Sequence, residues 1–131
     1  MKTFYAVFDT NVLVSALMSK HADSPTVLLL DYVIDGRIVL LYNEDIINEY
    51  KDVLHRDKFH FDDEQIDALL DLIRTGLHLD PTASQETFAD EDDRVFYEVA
   101  LSKEEGYVVT GNVKHFPKSP IVVTPAEMMQ I

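Results

Sequence analysis

Short apolar runs alternate with amphipathic segments along most of the chain, and this alternation restricts the possible folds more than any other feature. The run Ile38–Tyr42 is continuously apolar, which is typical of a parallel strand covered on both faces. Strands are predicted at residues 2–8, 38–42, 77–79, 107–110 and 121–123. Helical segments between such strands predict an α/β fold, a three-layer sandwich with a central, mostly parallel sheet flanked by helices.

Helices are predicted from apolar periodicity and from residues that favour helix ends. Ser24 and Pro25 favour one helix start, Asn43 caps another, and Gly36 and Gly106 favour helix ends. The predicted helices span residues 11–20, 25–35, 44–54, 62–74 and 92–105. For the fourth helix, Asp62 and Gln65 have the spacing of a capping box.

Length and composition indicate one domain over residues 1–131, with 47% apolar residues to build its core. No apolar run approaches the roughly 20 residues that a membrane helix needs. The sequence enters its first strand without the pattern of a signal peptide, so we expect a cytoplasmic protein that is not bound to a membrane. The absence of cysteine excludes disulfides, thiolate metal sites and a cysteine nucleophile.

The chain is strongly acidic, with 24 Asp and Glu residues against 11 Lys and Arg residues and a formal net charge of −13. Such a surface repels phosphate groups, which argues against a nucleic-acid binder that acts by charge alone. A pocket of clustered carboxylates that holds divalent cations would also contribute to this excess. The charge therefore leaves both an ordinary acidic protein and a metal-dependent enzyme open.

Polar clusters lie where predicted strands end, which is where open α/β sheets bind their ligands. Asp9 and Asn11 follow the first strand, and Thr110 and Asn112 stand at the end of the fourth. Asp9 has a second interpretation, because an acid or threonine at this point can also cap the following helix. The local sequence does not decide between a functional group and a helix cap.

Two further acidic groups lie beside apolar stripes of predicted helices. Glu49 is the acid nearest the buried stripe of its helix, although it could instead be a surface acid paired with Lys51 or Arg56. Residues 90–93 are four consecutive acids at a helix start, where capping and the helix dipole explain only one or two of them. Either Asp92 or Asp93 could belong to a functional site.

Oxygen ligands from Asp, Glu and Asn suit a hard cation such as Mg²⁺ or Mn²⁺. Ions of this kind can activate water and neutralise a phosphodiester during attack. The sequence has no glycine-rich phosphate loop and no nucleophile elbow, and its histidines lack the spacing of a zinc helix. These patterns favour metal-assisted phosphodiester chemistry.

Four motifs together resemble the PIN domain, and the resemblance extends from residue 4 to about residue 127. In chain order they occupy residues 7–12, 43–56, 90–101 and 107–116. The first two read VFDTNV and NEDIINEYKDVLHR, the third contains EDDRVF, and the fourth begins with YVVTGN. Each motif is weak alone, but four in this order are specific. The chain looks most like small prokaryotic PIN proteins regarded as VapC-like toxins of toxin–antitoxin pairs.

The resemblance implies a metal-dependent ribonuclease with Mg²⁺ or Mn²⁺ as cofactor. Its metal ligands would be Asp9, Glu49 and Asp93, and Asn112 would replace the fourth acid of the catalytic set. Asp93 is preferred over Asp92 because Ala100 follows it at the family's interval. The groups that would orient the carboxylates or the attacking water are Thr10, Asn11, Asp92 and Thr110.

The resemblance also implies partners, namely an RNA substrate and a cognate antitoxin. Few cations are available for RNA, the candidates being Arg56, Lys58 and Lys114. A homodimer would double that basic surface, so we expect a dimer. Two alternatives remain: a non-catalytic PIN-fold module that binds a protein, and an aspartyl phosphotransferase of the haloacid dehalogenase type, which also begins with a strand and an Asp.

Overall fold

The structure is a computed structural model that describes residues 2–131. Five strands form one sheet, in which every neighbouring pair is parallel and the spatial order is β3-β2-β1-β4-β5. The strands are β1 (Phe4–Phe8), β2 (Ile38–Tyr42), β3 (Leu77–His78), β4 (Gly106–Val109) and β5 (Val122–Val123). The predicted parallel sheet is therefore confirmed.

Six helices cover the sheet: α1 (Thr10–Met18), α2 (Pro25–Ile34), α3 (Glu44–Leu54), α4 (Asp63–Arg74), α5 (Arg94–Leu101) and α6 (Pro125–Met129). Helix α2 contacts α1 and α6, α3 contacts α4 and α5, and α1 also contacts α3. This arrangement confirms the predicted three-layer α/β fold. Within residues 2–131, no helix is both long and apolar enough to cross a membrane.

The central strand β1 brings the ends of two segments together. It pairs with β2 on one side and β4 on the other, and the amide of Asp9 continues the ladder by donating to the carbonyl of Val109 at 2.9 Å. Ala6, Val7 and Phe8 are completely buried between the helix layers. Since β1 and β4 are parallel and in register, the residues that follow them emerge side by side at the same edge of the sheet.

The structure corrects three details of the helix predictions. Asp62 makes no side-chain cap, so the predicted capping box of α4 is wrong. The helix predicted at 92–105 is a short 3₁₀ turn at Glu91–Asp93 followed by α5, which ends at Leu101. The chain then turns into β4 so close to α5 that a Cβ on Gly106 would lie 2.5 Å from the carbonyl oxygen of Ala100. Finally, α6 was not predicted.

Candidate active site

A pocket of about 260 Å³ opens at the carboxyl end of β1, the edge at which β4 also ends. Residues from five parts of the chain line it: the start of α1, the middle of α3, the loop after α3, the segment before α5, and the turn after β4. They are Asp9, Thr10, Asn11, Val14, Glu49, Val53, Phe59, Asp90, Asp93, Phe96, Asn112 and His115. Asp9, Glu49, Asp93 and Asn112, the four predicted catalytic residues, thus face one space.

Asp9 is held by a hydrogen-bond relay from the turn after β4. Its Oδ2 accepts a hydrogen bond of 2.7 Å from the hydroxyl of Thr110, which is completely buried. The Thr110 oxygen in turn accepts from the amide of Asn112 at 2.9 Å, so its proton is directed at Asp9. Asp9 occupies the N-cap position of α1, but its side chain makes no capping hydrogen bond. The carboxylate therefore fastens two strand ends together instead of capping the helix.

Asn11 provides a second, weaker link between the same two segments. Its Oδ1 accepts from the amide of Gly111 at 3.4 Å. The neighbouring Thr10 is buried, and its hydroxyl is the one buried side-chain polar atom within residues 2–131 that has no hydrogen-bond partner. Buried polar atoms are nearly always paired, with water or an ion when no protein group is available. This orphaned hydroxyl points to an additional polar occupant beside Asp9.

Glu49 reaches the pocket because the residue after it anchors α3. Tyr50 is buried, and its hydroxyl donates a hydrogen bond to the carbonyl of Phe8 at the end of β1. Glu49 itself is half-buried and makes no ion pair within the part of the chain that the structure describes. Arg56, its proposed surface partner, instead lies 3.5 Å from Asp52.

The four consecutive acids of residues 90–93 have different surroundings. Asp90 accepts a hydrogen bond of 2.9 Å from the amide of Asp92 and also lines the pocket. Glu91 pairs with Arg94 at 2.6 Å. Asp93 is half-buried and lines the pocket, whereas Asp92 is exposed and does not. The placement agrees with the preference for Asp93 as a ligand and leaves Asp92 outside the pocket.

Three of the carboxylates that line the pocket have raised pKa values. Burial, followed by the charges of Asp9 and Asp90, raises the pKa of Asp93 to about 6. Burial also raises the pKa of Asp9, although the Thr110 hydroxyl, the Thr10 amide and His115 act in the opposite direction. The pKa of Glu49 is raised by burial and then by the charge of Asp92. Unneutralised negative charge in a confined space is a setting that a cation would stabilise.

These residues fit a divalent cation by their chemistry, since they supply carboxylate and amide oxygens and the orphaned hydroxyl of Thr10 lies beside them. As the side chains stand, no group of three or more Asp, Glu or His residues within 2–131 is close enough to surround one ion. Asp9, Glu49 and Asp93 would hold the ion, with Asn112 at the pocket rim.

The predicted RNA-binding cations lie around the pocket and not in it. Lys114 lines an adjoining cavity of about 310 Å³ together with Asn112 and His115, and the latter two residues also line the carboxylate pocket. Arg56 and Lys58 are exposed in the segment after α3. Lys58 adjoins the pocket through Phe59, since its ammonium lies 5.1 Å from the centroid of that pocket-lining ring.

Sequence reasoning missed two groups at the site. Phe59 lines the pocket but lies in a short segment without periodicity, where only the pair of aromatic residues Phe59 and Phe61 among charged neighbours could have drawn attention to it. Arg94 donates to Glu91 and Glu98 and to the carbonyl oxygens of Ser84 and Glu86. This arginine fastens the loop that contains Ser84 and Glu86 to the segment that carries Asp93.

Comparison with known families agrees with this geometry: a family model described as PIN domain matches residues 5–114. The chain belongs to the PIN domain family. No curated protein and no solved structure matched the chain. PIN domains generally have a nuclease-type fold and generally use divalent metals, so the pocket of this PIN domain lies on a fold that supports nucleic-acid hydrolysis.

Proposed function

We propose that this PIN domain is a Mg²⁺- or Mn²⁺-dependent endoribonuclease that hydrolyses phosphodiester bonds of single-stranded RNA. The observation that carries the proposal is the meeting of Asp9, Glu49 and Asp93, from three separate elements, in one pocket. No arginine or lysine is among the residues that line this pocket. Burial raises the pKa of each of the three carboxylates. Structural acids in such positions are normally paired.

The chain would contribute positioning and charge. A divalent ion, when bound, supplies neutralisation of the phosphodiester and a lower pKa for a nearby water molecule. Thr110 holds Asp9 in one orientation through their 2.7 Å hydrogen bond. Tyr50 fixes α3, and with it Glu49, against the end of β1. With water as the nucleophile, hydrolysis would leave a 5′-phosphate on the downstream product.

The direct test is cleavage of an end-labelled single-stranded RNA by the wild-type chain with Mg²⁺ or Mn²⁺. We expect cleavage that stops in excess EDTA, and a loss of at least about a hundredfold in rate for Asp9→Asn. Glu44→Gln is the matched control, because Glu44 pairs with Arg74 at 3.1 Å and does not line the pocket. Cleavage that survives EDTA, or a 2′,3′-cyclic phosphate product, would contradict the proposal.

A non-catalytic binding module is the second candidate, and two observations favour it. Asn112 stands where the resemblance implies a fourth acid, and no three ligand-type side chains within residues 2–131 surround one point. This alternative predicts neither stabilisation by a divalent ion nor cleavage of any RNA. Family membership leaves no support for the aspartyl phosphotransferase alternative.

We further propose that the chain is a toxin, a homodimer in solution, and inhibited by an antitoxin with a basic segment. The net charge of −13 supports the last point, because a basic peptide complements an acidic pocket. Expression in a bacterial host should arrest growth, and Asp9→Asn should relieve the arrest. Sedimentation should give a dimer, and a strict monomer would contradict that part of the proposal.

A further inference from the structure

We propose that Phe59 and Phe61 form an aromatic platform on which a base of single-stranded RNA stacks beside the carboxylate pocket. This inference rests on the proposed ribonuclease function and assigns the platform to the substrate strand. The two rings are nearly parallel, at an interplanar angle of 10°, and their centroids are 5.5 Å apart. Offset parallel rings present a flat apolar face, which suits a nucleobase.

The two rings have different roles in the fold. Phe61 packs against the hydrophobic core, whereas Phe59 is not among the described residues of the core or its margin. Phe59 is instead half-buried and lines the pocket together with Asp9 and Glu49. Between them His60 has a φ of 57°, in the left-handed region, and this turn brings the rings together. Phe61 thus supports Phe59 at the edge of the active site, where core packing does not require an aromatic residue.

A cation held at the platform favours a partner that carries phosphate groups. The ammonium of Lys58 lies 5.1 Å from the centroid of the Phe59 ring, and Arg56 is exposed just before it. In a chain with a net charge of −13, a lysine held over a pocket-lining ring is positioned for a phosphate group of the strand.

Lys58 and a base would compete for the same ring, and the relative energies favour the base. An exposed cation–π contact is worth roughly a third of what one base gains by stacking on an aromatic side chain. A base would therefore displace the lysine, whose flexible side chain could then contact the adjacent phosphate. The platform tolerates any base, because every base has a π face.

The experiment uses a short single-stranded RNA that contains 2-aminopurine, whose fluorescence falls when it stacks. Binding is measured to the Asp9→Asn chain, which prevents cleavage, with and without Phe59→Leu. We expect quenching by the first protein, and an affinity about 5- to 100-fold lower with the quenching lost in the second. Phe59→Trp should restore both. Tyr32→Leu is the matched control, since Tyr32 also carries a cation, Arg37, over its ring but does not line the pocket.

An abasic position in the RNA tests the same contact without altering the fold. When the abasic position is moved along the strand, it should weaken binding at one position to the Asp9→Asn protein that retains Phe59. At that same position it should have no effect on the protein that also carries Phe59→Leu.

Equal affinity and equal quenching for the proteins with Phe59 and with Phe59→Leu would overturn the inference. The proposed function would still stand if the wild-type chain cleaves RNA. Quenching that depends on Phe59, with no cleavage by wild type, would retain the platform and reject the nuclease. Loss of a homodimer in Phe59→Leu, with unchanged RNA binding, would assign the platform to protein contact and overturn the inference.

Discussion

Two sets of carboxylates in this PIN domain behave in opposite ways. The arginine-paired carboxylates, Glu44 and Glu91, have pKa values lowered first by the hydrogen bonds they accept from Arg74 and Arg94. Three of the carboxylates that line the pocket, those of Asp9, Glu49 and Asp93, have raised pKa values, with burial as the main cause in each.

The comparison shows where the chain uses its few cations. Arg94 follows Asp93 directly, yet its guanidinium contacts Glu91 and Glu98 and leaves Asp93 without an ion pair in the described structure. Because Arg94 pairs with Glu91 and Glu98, it does not neutralise the carboxylates of the pocket. Unpaired carboxylates destabilise the folded chain when no ion is bound. A cation bound in the pocket would supply the positive charge that the chain itself does not provide there.

The largest effect should separate two adjacent acids. Asp93→Asn removes a carboxylate from the pocket and should lower the rate of RNA cleavage at least about a hundredfold. Asp92→Asn makes the same chemical change at an exposed side chain outside the pocket and should have an effect of less than about fivefold, because exposed charges interact weakly. Initial rates at saturating Mn²⁺ measure both. The reverse order would move the functional acid by one residue.

The relay to Asp9 should matter next. Thr110→Val keeps the shape of a completely buried side chain but removes the hydrogen bond to Asp9. Groups that orient metal ligands typically change metal affinity by about 10- to 100-fold. Calorimetric titration with Mn²⁺ should show a loss in that range, and Thr110→Ser, which retains the hydroxyl, should bind nearly as the wild type does. Equal affinities for all three proteins would exclude an orienting role.

The stabilisation that a divalent ion gives to the folded chain should depend on the pocket carboxylates and not on the arginine-paired ones. At a concentration ten times the Kd, Mn²⁺ should add about 1.4 kcal/mol to the free energy of unfolding, or roughly 5 °C in Tm. Asp9→Asn should lose most of this rise, whereas Glu44→Gln should keep it. Thermal unfolding with and without the ion measures the difference, and an equal rise in both variants would show that the ion binds outside the pocket.

Most of the fold could be predicted because its evidence is local. Ile38–Tyr42 is continuously apolar and forms β2 with the predicted bounds. Asn43 caps α3 by accepting from the amide of Ile46, as its sequence position predicts. The error at the end of α5 lies in the turns that follow the helix: α5 ends at Leu101, and Glu105 has a φ of 61°, outside the helical region. The apolar periodicity of the sequence does not mark these turns.

The site could be predicted only in part. Asp9 and Asn112 follow strands, and their convergence follows from the parallel sheet. The role of Thr110 as a donor to Asp9 depends on an exact distance across 101 positions in the chain, which no pattern supplies. Phe59 ends a short 3₁₀ turn, Asp57–Phe59, and the left-handed His60 follows it, and no periodic pattern predicts either feature. Loop residues without periodicity are the part of a site that sequence reasoning finds last.

The smallest effect is the response of stability to pH, and the two sets of carboxylates should respond with opposite signs. The pKa of Asp93 is about 6 in the folded chain against an ordinary value of 3.8, because burial and then the charges of Asp9, Asp90 and Asp92 raise it, while His115 lowers it. Between these values the unfolded state binds fewer protons, so the contribution of Asp93 to stability falls as pH rises through this window. Because asparagine does not titrate, the Tm of Asp93→Asn should rise relative to wild type between pH 4 and about 7, measured in EDTA.

Glu44→Gln should give the opposite trend, because the pKa of Glu44 is lowered in the folded state. The stabilising contribution of that carboxylate is present above its ordinary pKa of 4.5 and is lost as pH falls below it. The Tm deficit of Glu44→Gln relative to wild type should therefore shrink on acidification, and the effect should be small because Glu44 is an exposed ion-pair partner. Parallel pH trends in the two variants would mean that burial of Asp93 in the pocket does not distinguish it from an ordinary surface acid.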